Sequence, residues 1–222
     1  MSELRIPIFP LPEIVFFPET VLPLHVFEPR YRQMIADCLA GDRWLAVVML
    51  RVGWEKDYQG RPPVHPVAGA GEVIQAEALA DGRYNILLDG RARVRLLAEE
   101  PPDGRPYRVV RAERLGDRGP SPNDRTFPGR LQDLRTAHAR LLVVLGQSHP
   151  DVVGRLTVAG ASPGAVIDRI VSAVVPDSEV RQRVLEAVDV SARLDLAVSA
   201  LSELLSMVAG REGEEDEESG DA

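Results

Sequence analysis

Cysteine and lysine are almost absent from this 222-residue chain, which contains one of each, Cys38 and Lys56. A single cysteine excludes an internal disulfide and a zinc site made from cysteine pairs. No Gly-x-x-x-x-Gly-Lys-Ser/Thr stretch occurs among these residues, so they contain no nucleotide-binding phosphate loop of that type. Aromatic residues make up only 5% of the chain, and the core is therefore expected to consist mainly of Leu, Val, Ile and Ala.

Long apolar runs are also missing. The densest run, residues 44–50, has seven apolar residues, whereas a membrane-spanning helix needs ~20. The N-terminus has an early acid, Glu3, and several prolines, and it lacks the basic-then-apolar order of a secretion signal. Together with the low cysteine content, these features predict a cytoplasmic protein with no membrane partner.

The negative charge of the chain is concentrated at one end. Its net charge is −8, but residues 211–222 hold seven acids and one base and therefore carry −6. Such a segment cannot bury apolar surface and predicts a disordered acidic tail, which either solubilises the protein or docks a basic partner. Because the remaining residues are nearly neutral and contain no dominant basic block, composition gives no strong nucleic-acid signal.

Residues 1–118 predict a β-rich domain. About six or seven short β-type runs are separated by turn residues, and Pro23 within one of them belongs at an edge or a bulge. One helix is expected from Pro29 to Gly41, because apolar side chains recur there on one face: Tyr31, Met34, Ile35, Cys38 and Leu39. Many strands with few helices favour a closed or nearly closed barrel.

Residues 119–210 predict a helical bundle. The preceding stretch, 116–126, has no apolar side chain other than proline and predicts a linker. Beyond it the apolar period becomes helical, which gives four or five helices joined by short turns. A short helix is expected at 151–159, and a final long helix at about 190–209, followed by the acidic tail.

Several separated motifs resemble one known family. Residues Ile6–Tyr31, read as IPIFPLPEIVFFPETVLPLHVFEPRY, are closely similar to the opening of the substrate-binding domain of Lon-type proteases. Three further stretches resemble family motifs in the same order, namely Gly69–Ile74, Leu88–Val94 and Val184–Leu194. The resemblance covers residues 4–205. It implies an α+β fold in which a PUA-like β pseudo-barrel is followed by an α-helical bundle.

This resemblance implies a binding function rather than a reaction. Full-length Lon proteases continue into an ATPase and a Ser–Lys peptidase, and these residues contain neither motif. The chain is therefore expected to be a stand-alone, non-catalytic protein- or peptide-binding module, with an adaptor role in protein quality control as one form of that function. Its expected partners are unfolded or extended protein segments. Its expected state is a monomer or a weak homodimer, without cofactor or metal.

Six residues are candidates for substrate binding: Phe16, Phe17, Glu28, Arg30, Trp54 and Tyr58. Adjacent side chains of an extended segment point in opposite directions, so one of the two phenylalanines is expected to be exposed. Glu28 and Arg30 fit either a helix start, where a carboxylate meets the positive helix end and the arginine pairs with a strand carboxylate, or the rim of a peptide groove. Trp54 and Tyr58 belong to a predicted polar loop, 53–63.

The histidines and the cysteine give no indication of a catalytic or metal site. Four histidines occur, and no two of them are four residues apart, so no helical metal pair is predicted. His25 is expected to pack at a strand edge with one nitrogen bonded, and His138 to be a satisfied core residue. Cys38 lies on a buried helix face and is expected to be unreactive.

RNA binding through the PUA-like barrel is the alternative function. Arg91, Arg93 and Arg95 alternate with apolar residues, which predicts a strand with one buried face and one face of three arginines. Arginines spaced in this way could contact phosphates, although the nearly neutral body of the chain argues against it.

Overall fold

The computed structural model describes residues 3–144 and 160–219, with side chains as far as residue 209. It contains two compact units, Met1–Gly116 and Asp117–Ala222. A mixed six-stranded sheet lies in the first unit and a set of helices in the second. The predicted α+β class is therefore confirmed, while the helix expected at 151–159 lies outside the described residues.

The sheet of the first unit closes on itself. Its strands are β1 (Glu3–Leu11), β2 (Val21–Val26), β3 (Trp44–Met49), β4 (Val67–Ala78), β5 (Tyr84–Glu99) and β6 (Arg108–Leu115). They follow the order β2-β5-β4-β3-β1-β6, and β5 also pairs with β6. The first half of β5 pairs with β2 and its second half with β6. Five strands thus form a barrel, and β2 lies at an edge, as the proline within it predicts.

Two apolar clusters lie on opposite faces of these strands. One is made of small and branched residues from all five barrel strands, among them Ile8, Ala46 and Val94, and fills the barrel interior. The other lies between the sheet and helix α1 (Pro29–Ala40). The predicted apolar face of α1 is confirmed, because its buried residues include Met34 and Ile35, which have no exposed surface.

The strand boundaries differ from the sequence prediction at Gly90. The β-type runs 84–88 and 91–97 predict two separate strands with Asp89-Gly90 as the turn residues between them, but β5 runs through both residues. A β-carbon on Gly90 would lie 2.1 Å from the carbonyl oxygen of Phe17. The glycine therefore permits a close approach of two backbones and does not mark a turn.

The second unit contains four described helices: α2 (Phe127–Val144), α3 (Pro163–Val174), α4 (Ser178–Glu186) and α5 (Val190–Ser219). Side chains cap two of them: Ser162 accepts from the N–H of Ala165, and Asp177 accepts from two N–H groups of α4. Helix α5 contacts the other three. Within residues 3–144 and 160–219, no helix is both long and apolar enough to cross a membrane.

Helix α5 is longer than the predicted bundle helix. It continues through Ser219, into the stretch 211–222 for which a disordered acidic tail is predicted. Glutamate, which dominates this stretch, is a good helix former and needs no apolar contact to extend a helix that already exists.

The predicted linker, 116–126, belongs mostly to the second unit, whose boundary falls between residues 116 and 117. Arg118 forms a bridge with Asp189, and its N–H donates to the carbonyl of Val188 over 2.8 Å. The carboxylate of Asp124 accepts from the N–H of Phe127 at the start of α2. Backbone groups and carboxylates therefore hold this stretch in place. Its lack of apolar side chains predicts a less ordered segment than the structure shows.

Candidate functional site

The loop between β3 and β4, residues 50–66, carries two of the six candidate residues. Gly53, with φ 89°, precedes a short 3₁₀ turn at Trp54–Asp57. Hydrogen bonds between the N–H of Arg51 and the carbonyl of Pro63 (2.9 Å) close the base of the loop. The loop therefore has a fixed shape on the surface of the first unit.

Four candidate residues meet where this loop contacts the start of α1, and we name them the Glu28 cluster: Glu28, Arg30, Trp54 and Tyr58. The hydroxyl of Tyr58 donates to Oε1 of Glu28 over 2.5 Å. Arg30 donates to Oε2 of Glu28 through Nε (3.1 Å) and to the carbonyl of Tyr58 through Nη1 (3.1 Å). The ion pair and the hydroxyl thus tie the helix start to the loop.

Ring contacts extend the Glu28 cluster. The guanidinium carbon of Arg30 lies 4.6 Å from the ring centre of Tyr31 and 4.9 Å from that of Tyr58, within range of cation–π attraction. The rings of Trp54 and Tyr58 meet edge to face with centres 5.1 Å apart. Burial, and then the hydrogen bond to Glu28, raise the pKa of Tyr58.

The polar atoms of the Glu28 cluster are engaged with one another. The side chains of Glu28 and Arg30 are only 17% and 15% exposed, and the Glu28 carboxylate makes no capping hydrogen bond to α1. Glu28 thus stands at the helix start as predicted, but Arg30 pairs with Glu28 and not with a strand carboxylate. This arrangement can hold the surrounding surface in one shape. It leaves few charged atoms available to bind a partner.

Two exposed apolar side chains flank the Glu28 cluster and were missed by the sequence reasoning. Phe27, immediately before Glu28, is 61% exposed, and Val52, two residues before Trp54, is 90% exposed. Phe27 also stacks on His25, with ring centres 6.3 Å apart. The only signal for either in the sequence was its position next to a loop or a helix start, where apolar residues lack a periodic pattern.

Phe16 and Phe17 are both buried, at 1% and 0% exposure, so the expectation that one of them is exposed is wrong. The carbonyl oxygens of these residues lie so close to the sheet that a β-carbon on Gly69 would be 1.9 Å from the Phe16 oxygen. The segment is therefore covered on both sides, and strand alternation does not apply to it. Glycines inside strands β4 and β5 were the available signal.

A second polar group lies on the outer face of β2, β5 and β4. His25 Nδ1 is 2.8 Å from Oδ1 of Asn85, whose amide nitrogen donates to Glu77 over 3.0 Å. These residues border a shallow depression of about 400 Å³, with Pro23 on one side and Leu87 in the middle. His25 thus lies at a strand edge as predicted, but both of its ring nitrogens have partners, because Nη1 of Arg83 lies 3.2 Å from Nε2.

The other titratable candidates are structural. Cys38 is 5% exposed, and burial raises its pKa to about 12, so its thiol is inert at neutral pH. His138 is 6% exposed, as predicted for a core residue, and burial lowers its pKa. Its Nε2 has no hydrogen-bond partner among the described residues, so the hydrogen bonding expected of this buried ring is incomplete there. Among those residues no group of three or more His, Cys, Asp or Glu is placed to hold a metal.

The predicted face of three arginines on β5 is wrong. Arg93 is 3% exposed, because its pairing partner Gly69 lies under the Phe16 backbone and this face of the sheet is covered. Arg91 and Arg95 each lie 2.7 Å from a carboxylate oxygen, of Asp89 and Glu113 respectively. The strand therefore does not present a row of free cations to phosphates.

The sequence of the chain is similar to that of a known protein family. Residues 5–203 match the family described as the ATP-dependent protease La (LON) substrate-binding domain. The chain belongs to this family. The family resemblance predicted from the motifs is therefore confirmed, and so is the α+β fold that it implied.

Similar proteins include the Lon protease of Desulfosudis oleivorans, 23% identical over 91% of this chain and 24% of that protein. Lon protease 2 of Myxococcus xanthus is 28% identical over 89% of this chain and 23% of that protein. This chain thus spans about a quarter of the length of these relatives. Among solved structures, the N-terminal domain of Mycobacterium avium complex Lon protease has a TM-score of 0.68 at 18% identity, covering 90% of this chain and 98% of that one.

One motif of this Lon substrate-binding domain has a clear structural role. In the stretch Val184–Leu194, the carboxylate of Asp189 accepts from the N–H groups of Ser191 and Ala192 at the start of α5. Arg193, with no exposed surface, pairs with Asp117 and Asp168. The motif therefore organises the helical unit.

Proposed function

We propose that this chain is a non-catalytic binding module that takes up unfolded or extended segments of other proteins. The membership of the Lon substrate-binding family supports a protein partner. The observation that carries the proposal is the exposure of Phe27 and Val52 beside the rigid Glu28 cluster. Exposed apolar side chains at fixed positions are typical of surfaces that contact proteins.

The role of the Glu28 cluster in this proposal is to hold the surface in shape. Because Glu28, Arg30 and Tyr58 bind one another, loop 50–66 stays ordered without a partner. Less conformational entropy is then lost when a segment binds against Phe27 and Val52. Glu28, Arg30 and Tyr58 are positioning residues in this account, and Trp54 adds a half-buried aromatic edge to the contact surface.

The non-catalytic part of the proposal rests on the chemistry of the described side chains. Cys38 is buried with a raised pKa, and His25 shares its nitrogens with Asn85 and Arg83. Neither Cys38 nor His25 is therefore placed beside a partner with which it could form the nucleophile and general base of a covalent mechanism. A module that binds a segment without changing it covalently can pass that segment to another protein. An adaptor role is therefore one form of the proposed function.

The test uses a fluorescein-labelled protein held unfolded by reduction and alkylation of its cysteines, titrated with the full chain. We expect Val52→Ser and Phe27→Ser to weaken binding about fivefold each, since each removes apolar contact area. The matched control is Leu97→Ser, which changes a 49% exposed residue on the second half of β5 and should leave binding unchanged.

Absence of binding by the wild-type chain would contradict the proposal as a whole. Equal losses for Leu97→Ser and Val52→Ser would contradict the assignment of the surface. Thermal unfolding of each variant checks that the fold is intact, which is expected because all three side chains are largely in solvent.

A further inference from the structure

Strand β2 has an unused edge. It pairs with β5 over its full length, Val21–Val26, and it stands last in the strand order. Within the described part of the chain, no other backbone hydrogen bond reaches these six residues. A row of backbone donors and acceptors on the far side of β2 therefore faces solvent.

The pattern of hydrogen bonds shows which groups point outward. The N–H of Gly90 donates to the carbonyl of Thr20 over 2.9 Å, which marks Thr20 and Gly90 as a hydrogen-bonded pair. Such pairs alternate along an antiparallel ladder, so Leu22 and Leu24 bond to β5 through their backbones. The backbones of Val21, Pro23 and His25 then point away from β5. They offer two N–H groups and three carbonyls, because proline has no N–H.

Apart from Pro23, this edge lacks the protection that edge strands usually carry. Charged side chains, prolines, bulges and covering segments normally block such edges. The residues of β2 are Val-Leu-Pro-Leu-His-Val, with no Lys, Arg, Asp or Glu, and the register with β5 has no bulge there. Pro23 removes one donor but leaves its carbonyl available.

The side chains along the edge are apolar on the α1 side, whereas the outer face is apolar at Val21 and Pro23 and polar at His25. Val21 is 56% exposed on the outer face, next to Pro23 and the depression around Leu87. On the other face, Leu22 and Leu24 pack against the α1 cluster but remain partly exposed. A strand placed beside β2 would therefore meet apolar neighbours on the α1 side and, on the outer face, the apolar side chains of Val21 and Pro23 followed by the imidazole of His25. That chemistry matches a segment that is buried in a folded protein and exposed when the protein unfolds.

We propose that the outer edge of β2 receives an extended, uncharged and apolar segment of a partner protein as an added strand. This inference rests on the proposed function and specifies how its partner is held: backbone hydrogen bonds to Val21, Pro23 and His25 supply affinity without sequence specificity. His25 leads directly to the exposed ring of Phe27, so the bound segment continues onto the surface beside the Glu28 cluster.

The first test uses labelled peptides of about eight Val, Leu and Thr residues, long enough to span β2 at ~3.4 Å per residue. One peptide carries N-methyl groups on two adjacent central residues, so that whichever face it turns, one methyl group meets the edge. The control carries the same two methyl groups at its last two residues. We expect the central methyl groups to weaken binding to the full chain about tenfold or more, and the terminal ones to have little effect.

The second test changes the protein. Val21→Pro removes an N–H that points to solvent, as Pro23 already does, and should weaken peptide binding roughly threefold to tenfold. Val21→Thr keeps the N–H and the branched shape and serves as its control. Hydrogen exchange gives a direct readout: the amides of Val21 and His25 should become protected on peptide binding, while those of Leu22 and Leu24 are protected in both states.

The outcomes separate the two proposals. Position-dependent loss on methylation, together with new protection at Val21 and His25, supports strand addition. If the wild-type chain binds all peptides equally and both amides stay unprotected, strand addition is wrong and the proposed function stands. If the wild-type chain binds neither the peptides nor the unfolded protein, the proposed function is wrong and this inference is lost with it.

Discussion

Two arginine clusters, one in each unit, use the same chemistry in different surroundings. Arg30 is 15% exposed and pairs with one carboxylate, a tyrosine and a backbone carbonyl at the surface. Arg193 is 0% exposed and pairs with Asp117 and the 2% exposed Asp168. The Arg193–Asp168 pair is closed to water, whereas Arg30 and Glu28 remain partly exposed, as does Asp117. The first cluster is therefore suited to shape a contact surface, and the second to fix a fold.

The two clusters can be followed separately. Both tryptophans, Trp44 and Trp54, lie in the first unit, so tryptophan fluorescence reports on its unfolding. The second unit is mainly helical and dominates far-ultraviolet circular dichroism.

Arg193→Met should have the largest effect. It leaves the Asp168 carboxylate buried without a cation, and loss of one partner of a buried ion pair costs about 3–5 kcal/mol. Denaturant unfolding followed by circular dichroism measures this loss. Arg130→Met, whose side chain is 33% exposed and pairs with Asp124 and Asp195, is the control and should cost much less. Equal losses would show that burial does not distinguish these pairs.

Arg30→Met should come next, with a loss of about 1–2 kcal/mol in the first unit, because the hydrogen-bonded Glu28 carboxylate loses its cation. Denaturant unfolding followed by tryptophan fluorescence measures it. Arg91→Met breaks a surface pair whose arginine is 49% exposed, and it should change stability by a few tenths of a kcal/mol at most. If Arg30→Met destabilised the protein as much as Arg193→Met, the two clusters would not differ in their contribution to stability.

Tyr58→Phe should cost about 1 kcal/mol, since it deletes one partly exposed hydrogen bond to Glu28 and keeps the ring contacts with Arg30 and Trp54. The same fluorescence measurement applies, and fluorescence quenching of Trp54 by acrylamide should rise as the loop loosens. No change in either quantity would mean that the hydroxyl does not hold the loop.

Alkaline pH should produce the smallest effect on the first cluster. The pKa of Tyr58 is raised by burial and by its bond to Glu28, so its stabilising contribution is complete below the usual tyrosine pKa of ~10 and is lost as pH rises through the raised pKa. The quantity to measure is the difference in unfolding free energy between wild type and Tyr58→Phe. This difference should shrink above pH ~10, and a difference that grows there would contradict the sign.

The sequence predicted well what depends on local pattern. The apolar face of α1, the edge position of Pro23 and the burial of Cys38 follow from residue spacing and residue type. The hydrogen bond between Glu28 and Tyr58 joins residues 30 positions apart and depends on the path of loop 50–66. No periodic pattern encodes that path.

The errors share a physical origin. Burial of Phe16 and Arg93 results from a non-strand segment that crosses the sheet at Gly69, a contact distant in sequence that leaves only a glycine as its trace. In each case a tertiary contact made by backbone atoms overrode a correct estimate of local propensity.

The proline at the edge of β2 also bears on the behaviour of concentrated solutions. Two copies of β2 that met edge to edge with Pro23 opposite Pro23 would bring two carbonyl groups together with no N–H between them. A strand from another protein without proline at that place meets no such conflict. Pro23 therefore disfavours pairing of this edge with its own copy in that register, while its carbonyl stays available to a partner strand that has an N–H at that place.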